Sequence, residues 1–98
     1  MMCAMNAARI LVVDDELSLR RLMRLYLTKA GFTVVEASTG TQALAVLRRG
    51  GIDLAIVDVM LPEVDGFEVV RQARRDNSIP IILLTARGEE ALREHGWL

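Results

Sequence analysis

With 98 residues, 12 basic and 13 acidic side chains and a net charge of −1, the chain is sized for a single domain and carries no overall field that would recruit nucleic acid or an anionic membrane. The lone cysteine, Cys3, excludes an intrachain disulfide and fits a reducing compartment. No apolar run approaches the ~20 residues needed to span a bilayer, and residues 1–8 lack the pattern of a signal peptide, so the expectation is a soluble, cytoplasmic protein without a membrane or nucleic-acid partner.

In chain order, Ile10-Leu11-Val12-Val13 is a short apolar run without alternation, which predicts a parallel strand buried on both faces. Leu19, Leu22, Met23, Tyr26 and Leu27 follow at helical spacing, with Arg20, Arg21 and Arg24 between them as a solvated face and Ala30-Gly31 as a stop. Phe32 to Ala37 reads as a second strand. Ser38 or Thr39 then caps a helix that carries Ala43, Leu44 and Leu47 and ends at Arg48-Arg49-Gly50-Gly51. A third strand covers Asp53 to Asp58, and the loop from Met60 to Gly66 leads into a helix with Phe67, Val70 and Ala73 inward and Arg71, Arg74 and Arg75 outward. Pro80 opens a fourth strand, where a missing N–H is tolerated, and a short helix is expected near Gly88. Strands alternating with helices on short connections imply an α/β fold with right-handed crossovers and helices on both faces of a parallel sheet. The flavodoxin-like strand order for four strands is 2-1-3-4, which places the topological switch point between strands one and three.

Three of the apolar runs end in groups suited to phosphoryl chemistry: the first at Asp14-Asp15, the third at Asp58, the fourth at Thr85-Ala86. Ligands of open parallel sheets bind outside the carboxyl ends of the strands, so these residues gather at one edge. Singly, Asp14 and Asp15 read as helix caps and Asp58 as a strand-end residue. Together, carboxylates at one switch point repel and raise one another's pKa unless a cation compensates them. A hard divalent cation with oxygen ligands, such as Mg²⁺ or Mn²⁺, is the natural compensation. Such a site can take a phosphoryl group on a carboxylate nucleophile, for which the central Asp58 is the best placed, with Asp15 and Asp14 holding the metal.

The segments Leu11-Val12-Val13-Asp14-Asp15-Glu16, Asp58-Val59-Met60-Leu61-Pro62 with Asp65-Gly66, and Pro80 through Arg87 occur in the order and at the spacing of a known family. The chain resembles the receiver domain of bacterial two-component response regulators over about residues 8–90. The resemblance implies phosphorelay signalling: Asp58 accepts a phosphoryl group from a phosphohistidine of a sensor histidine kinase or phosphotransfer protein. It also implies that Asp14, Asp15, Asp58 and the backbone carbonyl of Met60 surround Mg²⁺, that Thr85 is the switch hydroxyl, and that the Ala86 N–H faces the phosphoryl group. The domain is then a phosphoacceptor rather than an enzyme, with at most self-phosphorylation from small phosphodonors and weak self-dephosphorylation.

The family pattern continues with a fifth strand ending in lysine-proline and a fifth helix, which this sequence lacks. The expected organisation is a tail at 1–8, a C-terminally truncated receiver at 9–90 and residues 91–98 outside the pattern. The only lysine, Lys29, sits near the end of the first helix, so an impaired switch is expected; Arg87 and His95 are poorly placed to replace the missing lysine or act as ligands. Without a fifth strand, the fourth becomes an apolar edge, which predicts self-association into a homo-oligomer. The alternative reading is a phosphorylation-independent interaction module or inert remnant. A phosphatase or phosphomutase would want a second Asp where Met60 stands, and a nucleotide-binding fold would want a Gly-rich loop after strand one.

Overall fold

The structure, a computed structural model, describes residues 7–76 and 78–84. Its elements in chain order are β1 (Arg9–Val13), α1 (Leu17–Lys29), β2 (Thr33–Ala37), α2 (Gly40–Arg49), β3 (Leu54–Asp58), α3 (Gly66–Ala73) and β4 (Ile81–Leu84). The four strands form one parallel sheet in the order β2-β1-β3-β4, the order expected of a flavodoxin-like fold. Val13 is in register with Ala37 on one side and Val57 on the other, and Asp58 lies opposite Leu84.

The expected short helix near Gly88, the residues 91–98 and Cys3 lie outside the described residues. Among the described residues, no helix is long and apolar enough to cross a membrane.

The two faces of the sheet are covered unequally. On one, Leu11, Val13, Ala55 and Val57 meet Ala43, Leu44 and Leu47 of α2 and Val69 and Ala73 of α3 in a closed apolar cluster. Each large side chain buried there contributes roughly 1.5–3 kcal/mol. On the other, α1 packs against β1 and β2, yet none of its residues is fully buried.

The helices start and stop for identifiable reasons. Thr39 caps α2, its hydroxyl accepting from the Gln42 N–H at 3.1 Å, while the Gln42 side-chain oxygen accepts from the Ser38 N–H at 2.8 Å. Of the two capping candidates, Thr39 takes the position. Asp65 caps α3 by accepting from the Glu68 N–H at 2.9 Å.

Two expectations about side-chain facing are corrected. Arg20 does not belong to a solvated face: its side chain is 14% exposed and ion-paired to Glu36 of β2, while Leu19, Leu22 and Tyr26 stand in the open. The cause is an acid placed on the α1 side of β2, which draws a guanidinium to the sheet. In α3, Val69 rather than Phe67 is buried alongside Ala73, because the cap at Asp65 sets which stripe meets α2. β4 is buried on neither face as fully as β1, with Ile82 and Leu84 exposed on the α1 side.

Candidate functional site

The site grows out of the carboxyl ends of β1 and β3. Asp14 extends the ladder by one residue, its N–H donating to the Ala37 carbonyl at 3.1 Å, and is buried (3% exposed). Its Oδ1 accepts from the Glu16 N–H at 2.9 Å, closing a turn before α1 rather than capping the helix; Glu16 is the N-cap, and no side chain bonds there. Asp15 is exposed beside it. Asp58 is the last residue of β3 and lies one strand over.

The alternation along β1 and β3 puts the Asp14 and Asp58 side chains toward the α1 side of the sheet. Carboxylate oxygens of Asp14, Asp15 and Asp58 lie within 4.8 Å of one another. They line an open cleft with Glu16, Leu19, Met60 and Leu84, of about 440 Å³, inside the range of roughly 300–1,000 Å³ typical of small-ligand sites.

Burial raises the Asp58 pKa above the ordinary carboxylate value; the Met60 and Val59 N–H groups oppose this, and the charges of Asp14 and Asp15 add to it. The Met60 N–H donates to Asp58 Oδ1 at 3.2 Å, so the Asp58 carboxylate is steadied by the backbone that follows it. That backbone is tied down in turn: the Val59 N–H donates to the Leu84 carbonyl at 2.8 Å, and the Gly66 N–H donates to the Val59 carbonyl at 2.9 Å. Gly66 allows the approach, since a Cβ there would sit 2.5 Å from the Asp58 carbonyl oxygen.

None of the ion pairs among the described residues reaches the three carboxylates. The donor set is all oxygen, anionic and partly buried, which fits a hard divalent cation and not a soft one. The structure thus brings together Asp14, Asp15 and Asp58, with Met60 two residues beyond Asp58. Thr85 and Ala86 lie outside the described residues, as do Arg87 and His95.

Sequence reasoning named two residues without seeing what they do here. One is Asp65, whose cap fixes where α3 begins. The other is Arg20, whose Nη1 donates to the Asp14 carbonyl at 2.7 Å. Its signal was Glu36, a charged residue between Val35 and Ala37 of β2.

Comparison with known proteins gives this geometry a family. The model of the response regulator receiver domain matches residues 10–97. The chain is 47% identical over 92 residues to the transcriptional regulatory protein ResD of Bacillus subtilis, covering 94% of the chain and 38% of that protein. It is 42% identical over 88 residues to the transcriptional regulatory protein SrrA of Staphylococcus aureus, covering 90% and 36%. It therefore spans little more than a third of the length of these curated relatives. Among solved structures, the chemotaxis response regulator CheY4 of Vibrio cholerae superposes with a TM-score of 0.84 at 33% identity, over 94% of this chain and 79% of that one. A CheY-like receiver domain from Methylobacillus flagellatus shares the fold at a TM-score of 0.76 and 23% identity, over 82% and 70%. With its 2-1-3-4 sheet and its acidic cleft at the switch point, the chain belongs to the response regulator receiver domain family.

Proposed function

We propose that this domain accepts a phosphoryl group on Asp58 from the phosphohistidine of a sensor histidine kinase or phosphotransfer protein, with Mg²⁺ or Mn²⁺ held by Asp14, Asp15, Asp58 and the Met60 carbonyl. The observation that carries this reading is the convergence of three carboxylates within 4.8 Å at the sheet edge, with no ion pair to any of them among the described residues. A bond forms between an Asp58 carboxylate oxygen and phosphorus as the phosphorus–nitrogen bond of the donor breaks. The bonding pair returns to the imidazole nitrogen, and the product is an aspartyl phosphate. A cation held by Asp14, Asp15, Asp58 and the Met60 carbonyl would supply positive charge to offset that of the transferring phosphoryl group. Asp58 is kept in place by the Met60 N–H, and the open cleft admits a donor side chain.

By likeness to the family, Thr85 and Ala86 face the transferred group. Lys29 closes α1 at the end away from the cleft, about 18 Å along the helix axis from its start, and does not meet phosphoryl charge there.

Intact mass spectrometry after incubation with acetyl phosphate and Mg²⁺ tests the reading. The expected result is one phosphate adduct on the wild type and none on Asp58→Ala; an adduct on both, or none on folded wild type, contradicts it.

A second reading is favoured by Ile82 and Leu84, which are 45% and 38% exposed on β4, an outer strand of the described sheet. Self-association through that edge gives a homo-oligomer whose sedimentation coefficient rises with concentration and falls back in Ile82→Lys. A concentration-independent monomer contradicts it.

A further inference from the structure

Arg20 occupies an unusual position. It lies in the first two turns of a helix whose leucines at 17, 19, 22 and 25 are exposed, yet its own side chain is among the most buried of that helix. Its Nε donates to Glu36 Oε1 at 3.0 Å and its Nη1 to the Asp14 carbonyl at 2.7 Å. Glu36 is gripped a second time, by Arg24 Nη1 at 2.8 Å on the exposed side. Burial works to raise the Glu36 pKa, but hydrogen bonds and charge from Arg24 and Arg20 outweigh it and leave the group below its ordinary value. Glu36 stands in register with Val12 on β2, and the Asp14 N–H bonds to Ala37 of the same strand. The backbone of Asp14 is thereby held on both sides, its N–H by β2 and its carbonyl by a guanidinium anchored to β2.

We infer that Arg20 is a positioning residue of the acidic site, whose guanidinium, anchored by Glu36, fixes the backbone at Asp14 and so sets the Asp14 and Asp15 carboxylates against Asp58. The inference rests on the cation-binding, phosphoacceptor reading of those three residues. A planar fork that serves two acceptors at once suits the task; a lysine ammonium is a point charge on a flexible stem. Simple electrostatics and positioning predict opposite signs. Deleting a cation beside three carboxylates makes the site more negative, which by charge alone tightens Mg²⁺ binding. Loss of a group that orients the ligands weakens it, typically by 10- to 100-fold, on the order seen for outer-shell partners of metal ligands.

The experiment is Mg²⁺ titration by calorimetry on wild type, Arg20→Met, Arg20→Lys and Arg24→Met, with folding checked by circular dichroism. The expected result is a Kd raised about tenfold or more in Arg20→Met, partly recovered in Arg20→Lys and unchanged in Arg24→Met. In metal-free protein, the Glu16 amide, which donates to Asp14 Oδ1, exchanges faster with solvent in Arg20→Met than in wild type. A folded Arg20→Met with an unchanged or lower Kd and unchanged Glu16 exchange overturns the inference. Should Arg20→Met not fold, Arg20→Lys decides in the same way: a raised Kd supports positioning and a wild-type Kd overturns it. Wild type that fails to bind Mg²⁺ at all overturns the phosphoacceptor reading first, and this inference with it.

Discussion

The two faces of the sheet do different work. Toward α2 and α3, Leu11, Val13, Ala55, Val57 and Val69 are essentially without solvent contact, and small residues such as Ala43 let the helices seat closely. Toward α1, Ile10 and Val12 of β1 are buried too, but the helix meets the sheet through the charged pair Arg20–Glu36 as well, and its leucines at 17, 19, 22 and 25 remain in the open along with Ile82 and Leu84. The three carboxylates lie at the margin of this open face, where Leu19 and Leu84 line their cleft. One face supplies the stability; the other tolerates an accessible, electrostatically strained site because the first holds the sheet rigid.

The largest test of that division is a pair of truncations. Leu11→Ala removes a fully buried side chain and is expected to cost about 3 kcal/mol in urea denaturation, whereas Leu22→Ala on α1 should cost less than about 0.5 kcal/mol. Equal losses would erase the difference between the faces.

Gly66→Ala comes next. Its Cβ would sit 2.5 Å from the Asp58 carbonyl oxygen, so the loop must shift, with an expected loss of about 1–3 kcal/mol and slower labelling by a phosphodonor. Unchanged stability together with an unchanged labelling rate would show that the loop does not need this approach.

Smaller and opposite in sign is Asp58→Asn. Removing one of three like charges should raise metal-free stability by about 1 kcal/mol, since a pair of unit charges near 4 Å interacts by about that much in a water-like medium. Added Mg²⁺ should stabilise the wild type more than the variant, as thermal melts in chelator and in Mg²⁺ would report.

The smallest expected effect belongs to Glu36. Its folded-state pKa lies below the unfolded value, so its contribution is present above the unfolded pKa, near 4.5, and is lost as pH falls through the folded one. Wild type should therefore lose more stability than Glu36→Gln between neutral and acid pH, by less than about 1 kcal/mol. Parallel pH profiles of the two proteins would remove the pair's role in joining α1 to the sheet.

Much of this was legible in the sequence. The four strands announce themselves because short unbroken apolar runs have few other homes, and their alternation with helices implies a parallel sheet, whose order 2-1-3-4 is the flavodoxin-like one. The carboxylate cluster was legible because strand-end residues of such a sheet must share an edge. Which way the helices face was not. The apolar residues of α1 at 19, 22, 23, 26 and 27 cover too wide an arc to fix its rotation, and the deciding contact, Arg20 to Glu36, is long-range and polar. In α3, likewise, the choice of Val69 over Phe67 depends on the exact start that Asp65 sets. The roles of Thr85 and Ala86 rest on their motif alone, since they lie outside the described residues.

The most direct measurement is a Mg²⁺ titration of ¹⁵N-labelled protein followed by amide shifts. Saturable shifts centred on Asp14, Asp15, Asp58 and Met60, with the α2 and α3 amides still, are the predicted result. No saturable shift, or shifts centred in the α2–α3 layer, would contradict a cation-binding acceptor site on the open face.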